Sequence, residues 1–373
     1  MNASVSRRQF LVNSTAGALA AGFVAGRVLP AAAADSHREH RRGGMLYRRL
    51  GQTDLFVSCL AFGSHIDPAF KERTEHGHAL NEEGQKRRDR HIAKALDYGV
   101  NLVDTYEDAG QWVPLARLVQ AKRAAVHVSI CRQSPMFIGQ NIDDAARQFG
   151  HVDLYRIYTG DGPAVAGQVL EDWDVMRKAR TAGKIRAIGI ATHSERTLVS
   201  ALAELEGLDF IMFPYNFIHA RADYSRFLPA AIQQGVGLIA IKPLAAGSIV
   251  KLDPRADGQS RPENTQTQLY HGRGRVLLPA IVGKLTQSLN CLPDETLCQA
   301  ALRFVYARPF ITCAMPGMFQ DHELDDNYAA LQRHLRLSRT EKTVLNAARA
   351  LSYVRGPSWL SPHYRWLDAR WRA

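Results

Sequence analysis

Short, continuously apolar runs alternate along the chain with longer segments in which apolar residues recur every three or four positions. The short runs indicate strands buried on both faces, because neither face of such a strand meets water. The longer segments indicate amphipathic helices. The predicted strands are 57–62, 101–104, 126–131, 154–158, 185–190, 210–213, 237–241 and 310–314, and the predicted helices include 85–98, 164–182, 194–205, 222–234 and 295–308.

The alternation of strand and helix predicts an α/β fold, a (β/α)8 TIM barrel. Gly99, Gly183 and Gly235 lie where helices should end, one or two residues before the next strand. Residues 45–50, the turn 51–54 and the following Leu55 predict an N-terminal hairpin in front of the first barrel strand.

Two segments interrupt this rhythm. A long loop, 245–292, follows the seventh predicted strand, at the end of a barrel where catalytic residues are found. A loop of this length is expected to be a lid, a partner surface or a tolerated insertion. The C-terminal tail, 351–373, contains Trp359, Trp366 and Trp371 among several arginines. This aromatic and basic tail is expected to fold over the barrel mouth or to form a contact surface.

The N-terminal segment has the pattern of a targeting signal. Arg7 and Arg8 form a twin-arginine pair, and a mild apolar stretch and a small-residue cleavage site follow before Asp35. We therefore predict a twin-arginine signal peptide over 1–34, with an ordinary Sec signal or a membrane anchor as the alternatives. The predicted mature chain is periplasmic or otherwise exported, with a polar leader (35–45), the barrel (46–350) and the tail (351–373). No later stretch is long and apolar enough to predict a transmembrane segment.

Composition narrows the classes of function. The chain has 373 residues, 46% of them hydrophobic, and a formal net charge of +11. This surplus would attract acidic partners or anionic lipid, or it is simply a basic surface. The basic residues are scattered, so we predict no nucleic-acid partner.

The cysteines predict neither a disulfide framework nor a metal site. There are five in 373 residues, and none forms a C-x-x-C motif. Cys291 and Cys298 are close enough in sequence to pair in an oxidising compartment, or they remain buried free thiols.

Several short motifs, in order, resemble one family of enzymes. They cover residues 46–333, and together they are similar to the aldo/keto reductases. The matching segments are 47–58, Leu60-Ala-Phe-Gly63, Asn101-Leu-Val-Asp-Thr105, 182–194, Tyr215-Asn216, 237–244 and Met315-Pro-Gly317 through Asp326-Asn327.

The resemblance implies a catalytic tetrad of Asp, Tyr, Lys and His. In that family the Tyr donates a proton to a substrate carbonyl, while the Lys, held by the Asp, lowers the Tyr pKa. Here the Asp position is matched by Asp104. The other three positions are replaced: the Tyr falls on Ala109, the Lys on Cys131 and the His on Tyr158.

Other side chains are candidates to replace the missing groups. Tyr158 and Tyr106 each offer a phenol as the proton donor, and Arg132 offers a positive charge next to Cys131. Arginine cannot act as a proton relay, since it does not lose its proton. Two hypotheses therefore remain: a remodelled catalyst acting on a small carbonyl substrate, and a non-catalytic barrel that binds a ligand or a protein partner.

The resemblance also implies a nicotinamide cofactor, NAD or NADP. The residues that match the family's cofactor-binding elements are Gly63, Tyr215, Asn216, Lys242, Pro243, Leu244, Gly247, Pro316, Gly317 and Asn327. The family's basic residue for the 2′-phosphate falls on Glu323, near Asp321, Asp325 and Asp326, which favours NAD because carboxylates repel a phosphate. Alternatively, these acids complement a helix dipole. Some twin-arginine members carry an iron–sulfur tail, but no cysteine follows Cys313, so no cluster is expected.

Overall fold

The computed structural model of the chain describes residues 38–72, 79–107, 109–133, 137–160, 164, 165, 167–217, 227–247, 249 and 294–354, with only the backbone of 68, 109, 246 and 347–354. All of these belong to the unit formed by residues 36–373. The predicted signal peptide, most of the loop 245–292, the tail beyond residue 354 and Cys291 lie outside the described residues.

An antiparallel hairpin extended by a third strand precedes the main sheet. Strand β1 (Glu39–Arg42) pairs with β2 (Met45–Arg49), which pairs with β3 (Phe56–Ser58). The turn between β1 and β2 is Gly43-Gly44, with φ angles of 57° and 87° that suit a two-residue hairpin. Residues 35–45 were predicted to be a polar leader; this is wrong for residues 39–42, which form β1. The two glycines are the turn signal in the sequence that marks this hairpin.

The main sheet is parallel and has seven strands. Its order is β10-β9-β8-β7-β6-β5-β4, so neighbours along the chain are also neighbours in the sheet. This arrangement requires the chain to return after each strand through a crossover connection. The strands are β4 (Leu102–Tyr106), β5 (His127–Arg132), β6 (Val152–Tyr158), β7 (Ile185–Ala191), β8 (Phe210–Pro214), β9 (Gly237–Ile241) and β10 (Cys313–Met315).

Residues 59–62 contact both edges of this sheet. On one side the amide of Ala61 donates to the carbonyl of Ala314 (3.0 Å), and on the other the amide of Phe62 donates to the carbonyl of Leu102 (2.9 Å). Isolated parallel bridges join Leu60 to Ala314 and Phe62 to Val103. The curled sheet is therefore consistent with the predicted (β/α)8 barrel.

Helices follow the strands, and the predicted ones are confirmed with shifted ends. The helix predicted at 222–234 is described only as Phe227–Gln233. Ala109–Val119, Ile138–Phe149, Asp321–Gln332 and Arg339–Val354 are also helical. The described helices are α1 (Glu82–Asp97), α2 (Ala109–Val119), α3 (Ile138–Phe149), α4 (Gln168–Thr181), α5 (Glu195–Glu204), α6 (Phe227–Gln233), α7 (Leu297–Tyr306), α8 (Asp321–Gln332) and α9 (Arg339–Val354).

The core has two layers, because successive strand residues point to opposite faces. Leu154, Ala187 and Phe210 lie on the inner face of the curled sheet, whereas the residues that follow them, including Tyr155 and Ile188, pack outward in the helix layer. The inner cluster comprises Leu50, Leu55, Val57, Ala61, Leu102, Leu154, Ala187, Ala191, Phe210, Met212, Ile239, Cys313 and Met315. The strand ends thus surround a narrow, mostly apolar interior.

Replacing Gly189 by alanine is expected to destabilise the fold by about 1–3 kcal/mol, as overpacking does. A Cβ at Gly189 would lie 2.5 Å from the carbonyl oxygen of Phe210 and 2.7 Å from its ring. Gly139→Ala is the matched control, since its Cβ would meet only Val175, at 3.7 Å, inside helix α3. Denaturant unfolding measures both variants, and equal stability of the two would contradict the close packing at Gly189.

Candidate active site

A buried ionic cluster spans three neighbouring strands inside the sheet. Asp104 on β4, Ser129 on β5 and Arg156 on β6 are all buried. Asp104 pairs in register with Ser129, and Ser129 pairs with Leu154. Arg156 is the next residue of β6 after Leu154 on the same face of the strand. The strand register therefore brings together three residues separated by up to 52 positions in sequence.

The cluster is held by several hydrogen bonds to one carboxylate. Arg156 donates to both oxygens of Asp104, through Nη1 to Oδ1 at 2.5 Å and through Nη2 to Oδ2 at 2.8 Å. The Ser129 hydroxyl donates to Oδ1 at 2.6 Å and accepts from Arg156 Nη1 at 2.8 Å. Burial by itself lowers the pKa of the Arg156 guanidinium, but the Asp104 carboxylate outweighs burial and raises that pKa. The side chain of Arg156 is thus a permanent cation.

A phenol and an imidazole share a hydrogen bond at the carboxyl end of the strands. Tyr158 is the last residue of β6. It lies two positions after Arg156 and therefore on the same face of the strand. Its Oη lies 3.0 Å from Nδ1 of His193, which follows β7. His193 is buried and Tyr158 is half-buried, with its ring against the inner apolar cluster. This pair can hold and transfer a proton.

The second candidate phenol, Tyr106, is held more loosely. It is the last residue of β4, and its Oη lies 3.4 Å from Nε2 of His65, which is exposed. The indole of Trp112 donates to the Tyr106 carbonyl at 2.6 Å, which fixes the backbone there. Tyr106 therefore stays a candidate, with a longer contact than Tyr158 has.

Arg132, the sequence-predicted cation of the site, lies elsewhere. Its side chain is on the opposite face of β5 from Ser129, and its guanidinium forms an ion pair with Asp172 on helix α4. Strand alternation explains the correction, because adjacent residues such as Cys131 and Arg132 must face opposite sides. Arg132 links the sheet to the helix layer, and Arg156 is the cation beside Asp104.

Cys131 and Ala109 are the other two positions that the family resemblance assigned to the site. Burial raises the pKa of the Cys131 thiol to about 12, so it is neutral at physiological pH. Cys131 is the register partner of Arg156, whose guanidinium is near it. Ala109 is the first residue of helix α2, five residues after Asp104.

The sequence-predicted cofactor residues lie at the ends of adjacent strands. Tyr215 and Asn216 follow β8, the loop 242–247 follows β9, and Pro316 and Gly317 follow β10. Gly63 follows the segment that bridges to β10, and a Cβ there would lie 3.3 Å from Met315. The structure thus brings these residues together on one arc of strand ends, those of β8, β9 and β10. Asp104, Arg156 and Tyr158 lie on the opposite arc, on β4 and β6.

The loop 242–247 (Lys242, Pro243, Leu244 and Gly247 among its residues) has an unusual backbone. Lys242 and Ala245 have positive φ angles of 53° and 50°, which cost energy for residues other than glycine. The side-chain Nδ2 of Asn216 donates to the carbonyl of Lys242 at 3.0 Å and holds the turn. Positive φ turns can form anion-binding concavities from backbone N–H groups, although those of Ala245 and Gly247 already donate to the carbonyls of Lys242 and Leu244, at 2.9 and 3.0 Å.

Tyr215 is fully buried. Its ring stacks on Phe304 of helix α7 at a centroid distance of 5.9 Å and meets Phe310 edge-on at 6.1 Å. These contacts account for Tyr215 as a packing residue between the sheet and α7.

The acidic residues of helix α8 have local partners. The Glu323 carboxylate accepts from the amides of Phe319 (2.7 Å) and Gln320 (3.1 Å), which forms a capping box. Asp321 contacts His91 Nε2 at 2.9 Å, and Asp325 pairs with Lys94 at 2.7 Å. Glu323 therefore caps the start of helix α8, as the helix-terminus alternative predicted. Asp321 and Asp325 link α8 to α1.

One buried polar atom on α8 supports a cofactor fit. Asn327 is buried, and its Nδ2 has no hydrogen-bond partner among the residues that the structure describes. A buried amide donor without a partner is costly, and a ligand that accepts from it would remove that cost. Together with the loop 242–247, this donor fits the adenosine and pyrophosphate ends of a dinucleotide.

Within the same described ranges, no group of three or more His, Cys, Asp and Glu side chains could hold a metal ion. None of the helices described is both long and apolar enough to cross a membrane.

Arg156, Ser129 and His193 were not predicted as site residues from the sequence. Arg156 lies two residues before Tyr158, so the two-residue period of a strand already places both on one face. Ser129 has the same relation to Cys131. His193 gave no comparable signal, because its contact with Tyr158 depends on how the chain leaves β7.

Comparison with known proteins gives one consistent match. The model of the aldo/keto reductase family matches residues 74–347. An aldo-keto reductase from Bacillus halodurans, in its holo form, is 18% identical, with a TM-score of 0.61 over 81% of this chain and 95% of its own. One from Klebsiella pneumoniae, in complex with NADPH, is 16% identical, with a TM-score of 0.57 over 80% of this chain and 93% of its own. A thermostable aldo-keto reductase in complex with epalrestat is 18% identical, with a TM-score of 0.59 over 82% of this chain and all (100%) of its own.

Proposed function

This chain belongs to the aldo/keto reductase family, and we propose that it is an exported oxidoreductase that reduces a small carbonyl compound at a rearranged active site. The recognition of the family from sequence is confirmed. The proposal also includes closure of the barrel by residues 59–62 as its first strand, and export through the twin-arginine segment at Arg7 and Arg8.

The observation that carries the proposal is the position of Tyr158 relative to the buried cluster. The inner layer is otherwise mostly apolar, and it holds an ion pair between Arg156 and Asp104 one step below a phenol at the strand ends. Such an ion pair is expensive to bury and is more easily explained by chemistry than by packing. Perturbed, buried charges next to a proton donor are typical of active sites.

A nicotinamide cofactor fits the opposite arc of strand ends. The loop 242–247 would hold the phosphates, and Asn327 Nδ2 would donate to the adenosine end. When bound in its reduced form, this cofactor supplies a hydride to the carbonyl carbon.

The Glu323 capping box supports NAD over NADP. Its carboxylate accepts from the amides of Phe319 and Gln320, which would otherwise attract a phosphate, and adds a negative charge there. A 2′-phosphate would have to displace this carboxylate and would be repelled by it.

The residues of this chain would orient and protonate the substrate. Tyr158 donates the proton to the carbonyl oxygen as negative charge develops on it. Arg156, fixed by Asp104 and Ser129, places a positive charge beneath the phenol and stabilises the phenolate that remains. The neutral Cys131 thiol and Ala109 carry no positive charge, so stabilisation of the phenolate is assigned to Arg156 on β6.

The test is direct binding followed by turnover. The mature chain is expected to bind NADH more tightly than NADPH by isothermal titration calorimetry, and Asn327→Leu is expected to weaken both by about 10-fold, the effect of one buried hydrogen bond. Glu323→Gln, as the matched variant, should reduce the preference for NADH. NADH oxidation is then measured with a panel of aldehydes and quinones as substrates. Absence of both nucleotide binding and oxidation would overturn the proposal.

A non-catalytic binding barrel is the second candidate, and the contacts of Tyr215 favour it. This cofactor-motif residue is fully buried against Phe304 and Phe310, which leaves its ring no exposed face for a ligand. In this case the barrel would bind a small molecule or a protein partner without turnover.

A further inference from the structure

His193 is built into the strand ends on a fixed backbone. The Thr192 hydroxyl donates to the carbonyl of Gly160 at 2.7 Å, and Ser194, on the other side, caps helix α5 by accepting from the amide of Thr197 at 3.3 Å. The backbone of His193 is thus held through the residue before it and the residue after it. Its ring is tilted by 59° to that of Tyr158, with Nδ1 3.0 Å from the phenol oxygen. Preorganised geometry of this kind is what proton transfer requires.

The buried cluster beneath Tyr158 cannot replace a proton that the phenol gives away. The Arg156 guanidinium keeps its proton, and its pKa is raised further by Asp104. The Cys131 thiol also keeps its proton, with a pKa of about 12. Asp104 is a carboxylate that already accepts from Ser129 and from both Arg156 nitrogens. A proton supplied near neutral pH must come from another group.

We propose that His193 is the proton source of Tyr158, so that the two residues act as one acid; this inference rests on the proposed carbonyl reduction. The Tyr158 O–H bond breaks as its proton forms a bond to the carbonyl oxygen, while a hydride from the reduced nicotinamide forms the new C–H bond. The carbonyl is reduced to an alcohol and the nicotinamide is oxidised. The imidazolium of His193 then protonates the phenolate through Nδ1, and water returns a proton to the imidazole.

The neighbourhood of His193 makes imidazole the group that sets the pH dependence. The charged and titratable residues on the elements next to it are Asp153, Tyr155, Arg156 and Tyr158 on β6, Arg186 on β7, and Glu195, Arg196 and Glu204 on α5, whereas β8 carries none. Phenols and guanidinium groups generally change charge well above neutral pH and carboxylates well below it. Imidazole is the side chain that titrates between pH 5 and 8.

The expected result is a pH profile that depends on His193. The kcat of the native enzyme should fall as pH rises through the imidazole titration, because the imidazolium is then lost. His193→Gln keeps a polar side chain but cannot titrate, so kcat at pH 6 should fall by about 10²-fold and this limb of the profile should disappear. His65→Gln is the matched control, since His65 also contacts a phenol, Tyr106, and should keep the limb.

A second measurement does not need the cofactor. In protein with ¹⁵N-labelled histidine, the Nδ1 resonance of His193 should titrate with a different midpoint in Tyr158→Phe than in the native chain. The inference is overturned if the native protein reduces carbonyls while His193→Gln keeps both the rate and the limb. If no carbonyl is reduced at all, the proposed function fails instead. An unchanged His193 titration in Tyr158→Phe would then overturn the coupling of the pair as well.

Discussion

Replacing Arg156 by methionine is expected to lower the free energy of unfolding by about 3–5 kcal/mol, because Asp104 is left as an unpaired charge inside the sheet. The side chains of the two residues are 5% and 1% exposed, so water cannot take the place of the lost partner. Denaturant unfolding of the variant at neutral pH measures the effect. Carbonyl reduction should also be lost, since the phenolate of Tyr158 no longer has a cation beneath it.

Two control variants make this result specific. Lys184→Met breaks an ion pair with Asp143 whose side chains are 44% and 43% exposed, and it should cost no more than about 1 kcal/mol. The double variant Arg156→Met with Asp104→Leu removes both charges and should recover most of the stability, without recovering activity. A double variant with native turnover would show that the buried pair is only a packing feature.

The second large effect concerns Tyr158. Tyr158→Phe removes the proposed proton donor and keeps the ring, so kcat is expected to fall by about 10²–10⁴-fold. Nucleotide affinity should remain, since the cofactor-binding residues lie after β8, β9 and β10. Stability should change by about 1 kcal/mol, the contribution of one hydrogen bond. Steady-state kinetics with the best substrate of the panel, together with calorimetry, separates these effects.

Tyr106→Phe is the matched control for this prediction. Its phenol also lies at a strand end, but it contacts His65 at 3.4 Å rather than 3.0 Å. Turnover in Tyr106→Phe should stay within a few-fold of the native value. If Tyr106→Phe is inactive and Tyr158→Phe is not, the proton donor is on β4 and the role given to β6 is wrong.

The α/β fold could be predicted from the sequence, and the sequence also proposed candidate site residues that stay predictions. Buried strands need continuous apolar runs and helices need an apolar stripe, so both periods are visible without knowledge of any long-range contact. Asp104 and Tyr158 were selected through the resemblance to the family. The strand β1 was overlooked because its residues are mostly exposed and charged, and only Gly43-Gly44 marked the turn.

The partners of the site residues were harder to predict. The choice between Arg132 and Arg156 depends on which face of its strand each residue occupies and on the register between β4, β5 and β6. The partner of Glu323 was equally hidden, because a carboxylate in a first helical turn can repel a phosphate or cap the helix. Its hydrogen bonds to the amides of Phe319 and Gln320 exist only once the turn has formed.

The sequence by itself determined the alternation of buried strands and helices and the family, and it predicted that Tyr, Lys and His are replaced at the positions that the family uses. Those properties are local, since each is set by residue type and spacing along the chain. Only the tertiary structure decided that Arg156 pairs with Asp104 and that His193 meets Tyr158. Charge pairing and proton transfer require atoms within about 3 Å of one another, and such distances between residues far apart in sequence are fixed only when the strands curl into one sheet.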